Sequence, residues 1–149
     1  MKRLMPLVVL FALMFGSLGK AQSDGFGLYS GYPEWIGIQT QTNNLRLGAG
    51  LGFWGLGASA DLILGKQALG ETNLALSWYY GAGVSLGYWF FVANEIYLFP
   101  HGLVGLEWDP SALGLRGLKF YSEFQVGAAV LFPGGFRPDF NGRAGLIFK

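Results

Sequence analysis

The chain has 149 residues, room for one domain, yet only 13% of them are charged and 52% are hydrophobic, against about 25% charged in an ordinary soluble domain. So many large apolar side chains exceed what a small soluble protein can hide, and a membrane is the economical place for them. There is no cysteine, which excludes disulfides, thiolate metal sites and a lipid-modified N-terminal cysteine, and the near-neutral charge offers no basic surface for nucleic acid.

Residues 1–21 read as a cleavable signal peptide. Lys2 and Arg3 make a basic start, LMPLVVLFALMFGSLG is an apolar core, and Gly19-Lys20-Ala21 offers small residues where a signal peptidase cuts. The alternative, an uncleaved anchor helix, is opposed by the short apolar core and by Pro6. Cleavage after Ala21 leaves a domain of residues 22–149 with seven basic and nine acidic residues, a formal charge of −2.

From there the chain alternates with period two. Segments 26–32 and 34–42 come first; parity runs unbroken through Pro33, so they read as two strands or as one kinked strand. Asn43-Asn44 is a two-residue hairpin turn, because Asn tolerates positive φ. Segment 45–53 places Leu45, Leu47, Ala49, Leu51 and Phe53 on one side and Arg46 with glycines on the other, and 56–65 sets leucines and alanines against Ser59 and Asp61. Segment 74–88 follows the loop QALGETN. Segment 95–107 follows FVAN and fits less well, because Phe99 and Leu103 fall among Tyr97, His101 and Glu107. After DPSALGLRG, segment 118–131 has Leu118, Phe120, Phe124 and Val126 opposite Lys119, Tyr121, Glu123 and Gln125. After PGGFRPD, segment 136–148 sets Phe136, Phe140, Leu146 and Phe148 against Arg137, Asp139 and Arg143.

Across these segments one side collects Arg46, Lys119, Arg137 and Arg143 with Asp61, Glu107, Glu123 and Asp139, four charges of each sign, and the other side has none. A soluble sandwich turns such charges to water. Here glycines such as Gly48, Gly50, Gly57, Gly83 and Gly105 share the charged side, which suits a crowded centre, while Phe53, Tyr88, Trp108, Phe132 and Phe148 end the apolar side like an aromatic girdle at lipid headgroups. The expectation is an all-β fold, a closed antiparallel up-and-down transmembrane β-barrel of eight strands, or seven if the first two merge. The polar network faces the lumen, and closure is required because no open sheet edge survives in hydrocarbon. Glu107 and Glu123 are expected to meet some of Arg46, Lys119, Arg137 and Arg143. The alternative to such an ion-pair network is a proton or ion path. The rival folds are a helix through residues 74–94, which is long enough to span, and a secreted lipocalin-like barrel with its apolar side inward.

The signal peptide, the dyad repeat, the short turns and the last strand, NGRAGLIFK, resemble the small eight-stranded outer-membrane barrels of the OmpA transmembrane-domain and OmpX type. That family usually ends on an aromatic residue; here Phe148 is penultimate and Lys149 follows. The resemblance implies a monomer in the cell outer membrane, with lipids and the barrel-assembly machinery as partners and no cofactor. It also implies no open wide pore, and a structural, membrane-integrity or adhesion role without enzymatic activity.

Other signals carry less. Gly50-Leu51-Gly52-Phe53-Trp54-Gly55 matches the spacing of a dinucleotide loop, but no helix follows it. His101 is the single histidine, too few for a zinc site, and no carboxylate run has calcium-loop spacing. A lipid A-modifying enzyme is the functional alternative. The lipid A deacylase family carries His and Ser two positions apart, and Leu103 stands there instead, so His101 is read as a bonding residue at the barrel rim.

Overall fold

A computed structural model of the chain describes residues 25–52, 55–70, 75–90 and 94–149. The signal peptide expected at 1–21 and the girdle residue Phe53 lie outside them. Eight strands form: β1 (Gly25–Gly31), β2 (Ile36–Thr42), β3 (Leu45–Leu51), β4 (Leu56–Ala68), β5 (Leu76–Trp89), β6 (Glu95–Trp108), β7 (Leu118–Phe132) and β8 (Gly135–Phe148). They pair in sequence order, every pair antiparallel, and β1 closes on β8.

The first two segments are therefore a hairpin and not one kinked strand. Tyr29 pairs with Gly37 and Gly25 with Gln41, and Gly31 N–H donates to the Glu34 carbonyl across the turn. At Asn43 the backbone turns left-handed (φ 53°), which brings Thr42 opposite Leu45 as a two-residue turn requires. Leu76–Trp89, the core of the rival spanning helix, is strand β5. The loop 109–117 carries one short 3₁₀ turn, Pro110–Leu113, capped by Asp109 Oδ1, which accepts from Ser111 N–H at 3.0 Å.

Orientation follows the alternation. Phe124, Val126 and Phe140 are 48%, 55% and 71% exposed on the outer wall, while Arg46, Asp61 and Glu123 are 1%, 0% and 4% exposed inside. This rules out the lipocalin-like arrangement, whose apolar side would be the core. Phe99 and Leu103 obey the same parity: both point inward and are buried. The lumen is thus a mixed core. Tyr29, Tyr79, Leu103, Tyr121 and Ile147 form one apolar cluster, and Tyr97, Phe99 and Ala129 form another.

Following the strand registers once around the barrel returns to β3 about ten residues further along, which for eight strands corresponds to a tilt of about 40°. The wall is uneven. At that tilt the seven-residue strands β1, β2 and β3 stand roughly 18 Å tall, and the 14- and 15-residue strands β5 to β8 roughly 35 Å. The strands are level at the near end, where Phe26 pairs with Phe148, so the short wall is missing its far half. There β8 from Gly135 to Asn141 pairs with β7 alone. This free edge is blunted: Pro138 has no N–H, and Asp139 Oδ1 accepts from Phe140 N–H at 3.0 Å. Near-end and far-end aromatics ring the outer wall, Trp108 and Phe148 at one level, Tyr88 and Phe132 at the other.

A charged lumen as the candidate functional site

Register places Arg46 beside Asp61 on β3 and β4, and Glu123 beside Arg143 on β7 and β8. The shortest bonds join neither neighbouring pair. Arg46 Nη1 reaches across the lumen to Glu123 Oε2 at 2.7 Å, and Arg143 Nη1 reaches back to Asp61 Oδ2 at 2.7 Å. Arg143 also lies 3.7 Å from Glu123 Oε1. Two crossed ion pairs therefore join opposite walls, with all four side chains at most 1% exposed.

The second ring of contacts explains why arginine suits both positions. The Arg46 guanidinium lies 4.0 Å from the Tyr121 ring centre, and that of Arg143 4.8 Å from the Tyr29 ring, so planar cations are sandwiched among aromatic faces. Tyr79 OH donates to Glu123 Oε2 at 2.8 Å, Gln125 Nε2 to Glu123 Oε1 at 2.9 Å, and Tyr121 OH to Gln39 Oε1 at 2.7 Å. Glycines make room for this. A Cβ at Gly83 would lie 2.1 Å from Asp61 Oδ1, and one at Gly105 would lie 2.5 Å from the Tyr79 ring.

His101 sits inside the barrel and not at its rim, a correction to the sequence reading. Its Nε2 is 3.0 Å from Asp61 Oδ1 and its Nδ1 is 2.9 Å from the Phe99 carbonyl oxygen. The turn between β1 and β2 adds a residue that the alternation did not single out. Glu34 is 1% exposed, and its carboxylate lies 4.0 Å from Arg143 Nη2 with no hydrogen bond to either oxygen. Arg46 and Arg143 thus face Asp61, Glu123 and Glu34.

The other expected lumen charges stand apart from this cluster. At the near end Glu107 Oε1 accepts from Lys119 at 2.8 Å and from Lys66. The sequence reading ends β4 at residue 65, one short of Lys66. A β-bulge between Ile63 and Gly65 puts it opposite the buried Tyr79 and turns it inward. At the far end Arg137 and Asp139 approach only to 3.9 Å, with the Arg137 side chain 54% exposed. Glu107 and Glu123 thus meet Lys119, Arg46 and Arg143, whereas Arg137 joins neither carboxylate.

Chemically the arrangement braces and fills. The tyrosine-rich cluster packs the lumen from the near side of the ion pairs and the Tyr97–Phe99–Ala129 cluster from the far side. Compared with known proteins, the chain matches no family model, no curated protein and no solved structure.

Proposed function

We propose that the chain is a small bacterial outer-membrane protein of the OmpA transmembrane-domain or OmpX kind, exported by its signal peptide and inserted by the barrel-assembly machinery. Its role in this reading is structural: it reinforces the membrane or presents a small contact surface. The observation that carries this is the inverted distribution of side chains in a closed barrel, apolar outside and ionic inside. In hydrocarbon such closure pairs the first strand with the last, with a free side left along the far-end stretch 135–141, and apolar residues have lipid to contact. The aromatics at the two ends of the wall support the same reading, since Trp and Tyr favour the interface.

The crossed ion pairs and the two apolar clusters support a barrel without a wide pore. No far-end connection exceeds five residues, from Tyr32–Trp35 to Pro133-Gly134, which leaves little loop area for a receptor and favours membrane integrity over adhesion. The enzymatic alternative rests on His101. Its two ring nitrogens are taken by Asp61 and a backbone carbonyl deep in the barrel, a placement that favours bracing over catalysis on a lipid outside.

The test is outer-membrane fractionation combined with gel mobility before and after boiling. The expected result is a membrane-bound protein of about 128 residues after cleavage at Ala21, with a band that shifts on heating. Recovery from the soluble fraction without detergent overturns the reading.

A further inference from the structure

The near-end mouth has chemistry that bracing does not require. A cavity of about 430 Å³ opens there, lined by Asn43, Asn44, Gly65, Lys66, Glu107 and Lys119 among others. Lys149 lines it too, so all three lysines of the chain beyond residue 21 converge on one cavity from three different strand ends. The arginines do not line it: Arg46 and Arg143 are sealed in the lumen, Arg137 is at the far end, and Arg116 on the near-end loop is not part of the lining.

Three features make this a recess for an anion. The bulge in β4 spends a strand irregularity on turning Lys66 inward, and without it the alternation would aim Lys66 at the outer wall. Glu107 answers both Lys66 and Lys119 through a single oxygen, so one carboxylate is shared between two ammonium groups that carry three donors each. Two ammonium groups thus meet one carboxylate at the centre of the recess. The side of the recess is low, because the Asn43–Asn44 turn stops at the level of Ile63, whose N–H donates to the Asn44 carbonyl at 2.7 Å, while β4 continues to Ala68.

We propose that this recess binds a phosphate-bearing group, with Lys66 and Lys119 as its cationic anchors. Two sources share that chemistry: free phosphate, and the headgroup of an anionic phospholipid reaching over the low turn. The lipid source rests on the membrane reading above, since Trp108 and Phe148 then hold this mouth at headgroup level; the free-phosphate source does not.

The experiment uses the full mature chain folded in a maltoside detergent, with amide shifts of Asn44, Gly65 and Lys66 followed by NMR. Three additives are titrated: inorganic phosphate, dihexanoyl phosphatidylglycerol, and dihexanoylglycerol, which lacks the phosphate. Saturable shifts with either phosphate compound and none with dihexanoylglycerol are expected, and whichever of the two binds at lower concentration names the source. Lys66→Gln leaves Glu107 paired to Lys119 and weakens binding about tenfold, the loss of one charge-assisted hydrogen bond. Glu107→Gln removes the competing carboxylate and tightens binding severalfold, an effect opposite to what a purely structural role predicts. Heat-dependent gel mobility shows that both variants are folded. No shift with either phosphate compound, equal shifts with dihexanoylglycerol, or unchanged affinity in Lys66→Gln overturns the proposal, while soluble-fraction recovery overturns the membrane reading alone.

Discussion

Replacing Arg143 with Met removes the cation on which the lumen converges. Arg143 lies 2.7 Å from Asp61, 3.7 Å from Glu123 and 4.0 Å from Glu34, with every side chain at most 1% exposed. Met fills similar space, so the cavity contribution is small. The larger loss is electrostatic: Asp61 keeps only His101, and Glu34 keeps no cation within 4 Å. Breaking a buried pair from one side costs about 3–5 kcal/mol. With a urea dependence of roughly 1–3 kcal/mol per molar, the unfolding midpoint of the barrel in lipid vesicles falls by about 1–5 M, read from tryptophan fluorescence. Lys119→Gln is the internal standard. Its partner Glu107 retains Lys66 and its own side chain is 19% exposed, so its cost stays near or below ~1 kcal/mol. If Arg143→Met costs no more than Lys119→Gln, the crossed pairs do not brace the barrel and the account of the lumen is wrong.

Two glycine substitutions separate crowding from composition. Gly27→Ala brings a Cβ within 2.0 Å of the Leu146 carbonyl oxygen and is expected to lower stability by about 1–3 kcal/mol. Gly142→Ala meets nothing within 4 Å and stays neutral or gains a few tenths of a kcal/mol in the same urea titration. Phe124→Arg puts a charge on the outer wall, where Phe124 is 48% exposed; in a bilayer it costs about 2–4 kcal/mol near the midplane, measured as lost vesicle insertion, whereas a barrel stable in water is indifferent to it. Hydrogen bonds from the Ser111 side chain and, to a lesser extent, from its N–H hold the Asp109 carboxyl below the usual carboxylate range. A lowered folded-state value means that the cap contributes above the unfolded-state titration and is lost as pH falls through the folded one, so exchange of the Ser111 amide should accelerate on acidification below pH about 4; exchange insensitive to that change refutes the cap.

All eight segments were legible, because side-chain alternation states which side of a wall a residue occupies. It does not state the level. Arg46, Arg137 and Arg143 share a parity, but the register puts Arg46 and Arg143 in the sealed middle and Arg137 in the far mouth. His101 was taken as a rim residue for the same reason: alternation within segment 95–107 turns it inward without fixing its height, and only the pairing with Gly83 and Gly127 sets it inside the barrel. Lys66 was lost to the bulge, whose one sequence trace is a lysine on a parity otherwise reserved for leucine and alanine. Glu34 left no periodic trace, since it enters the lumen from a turn. Even the shortest ion pairs defied adjacency: Arg46 and Arg143 bond at 2.7 Å to partners across the barrel, closer than the 3.7 Å between the register neighbours Arg143 and Glu123, a choice made by closure and invisible in any single strand.

The truncated β1–β3 side has a consequence for whatever surrounds the barrel. Its height of roughly 18 Å falls short of the ~25 Å apolar band of transmembrane barrels, while the opposite staves exceed it. In the outer-membrane reading proposed above, acyl chains beside the low staves would have to shorten or splay by about 7 Å in sum, at a fraction of a kcal/mol per Å. A bilayer would then be pinched on one flank only, against the exposed Trp35 and Ile36 at the start of β2.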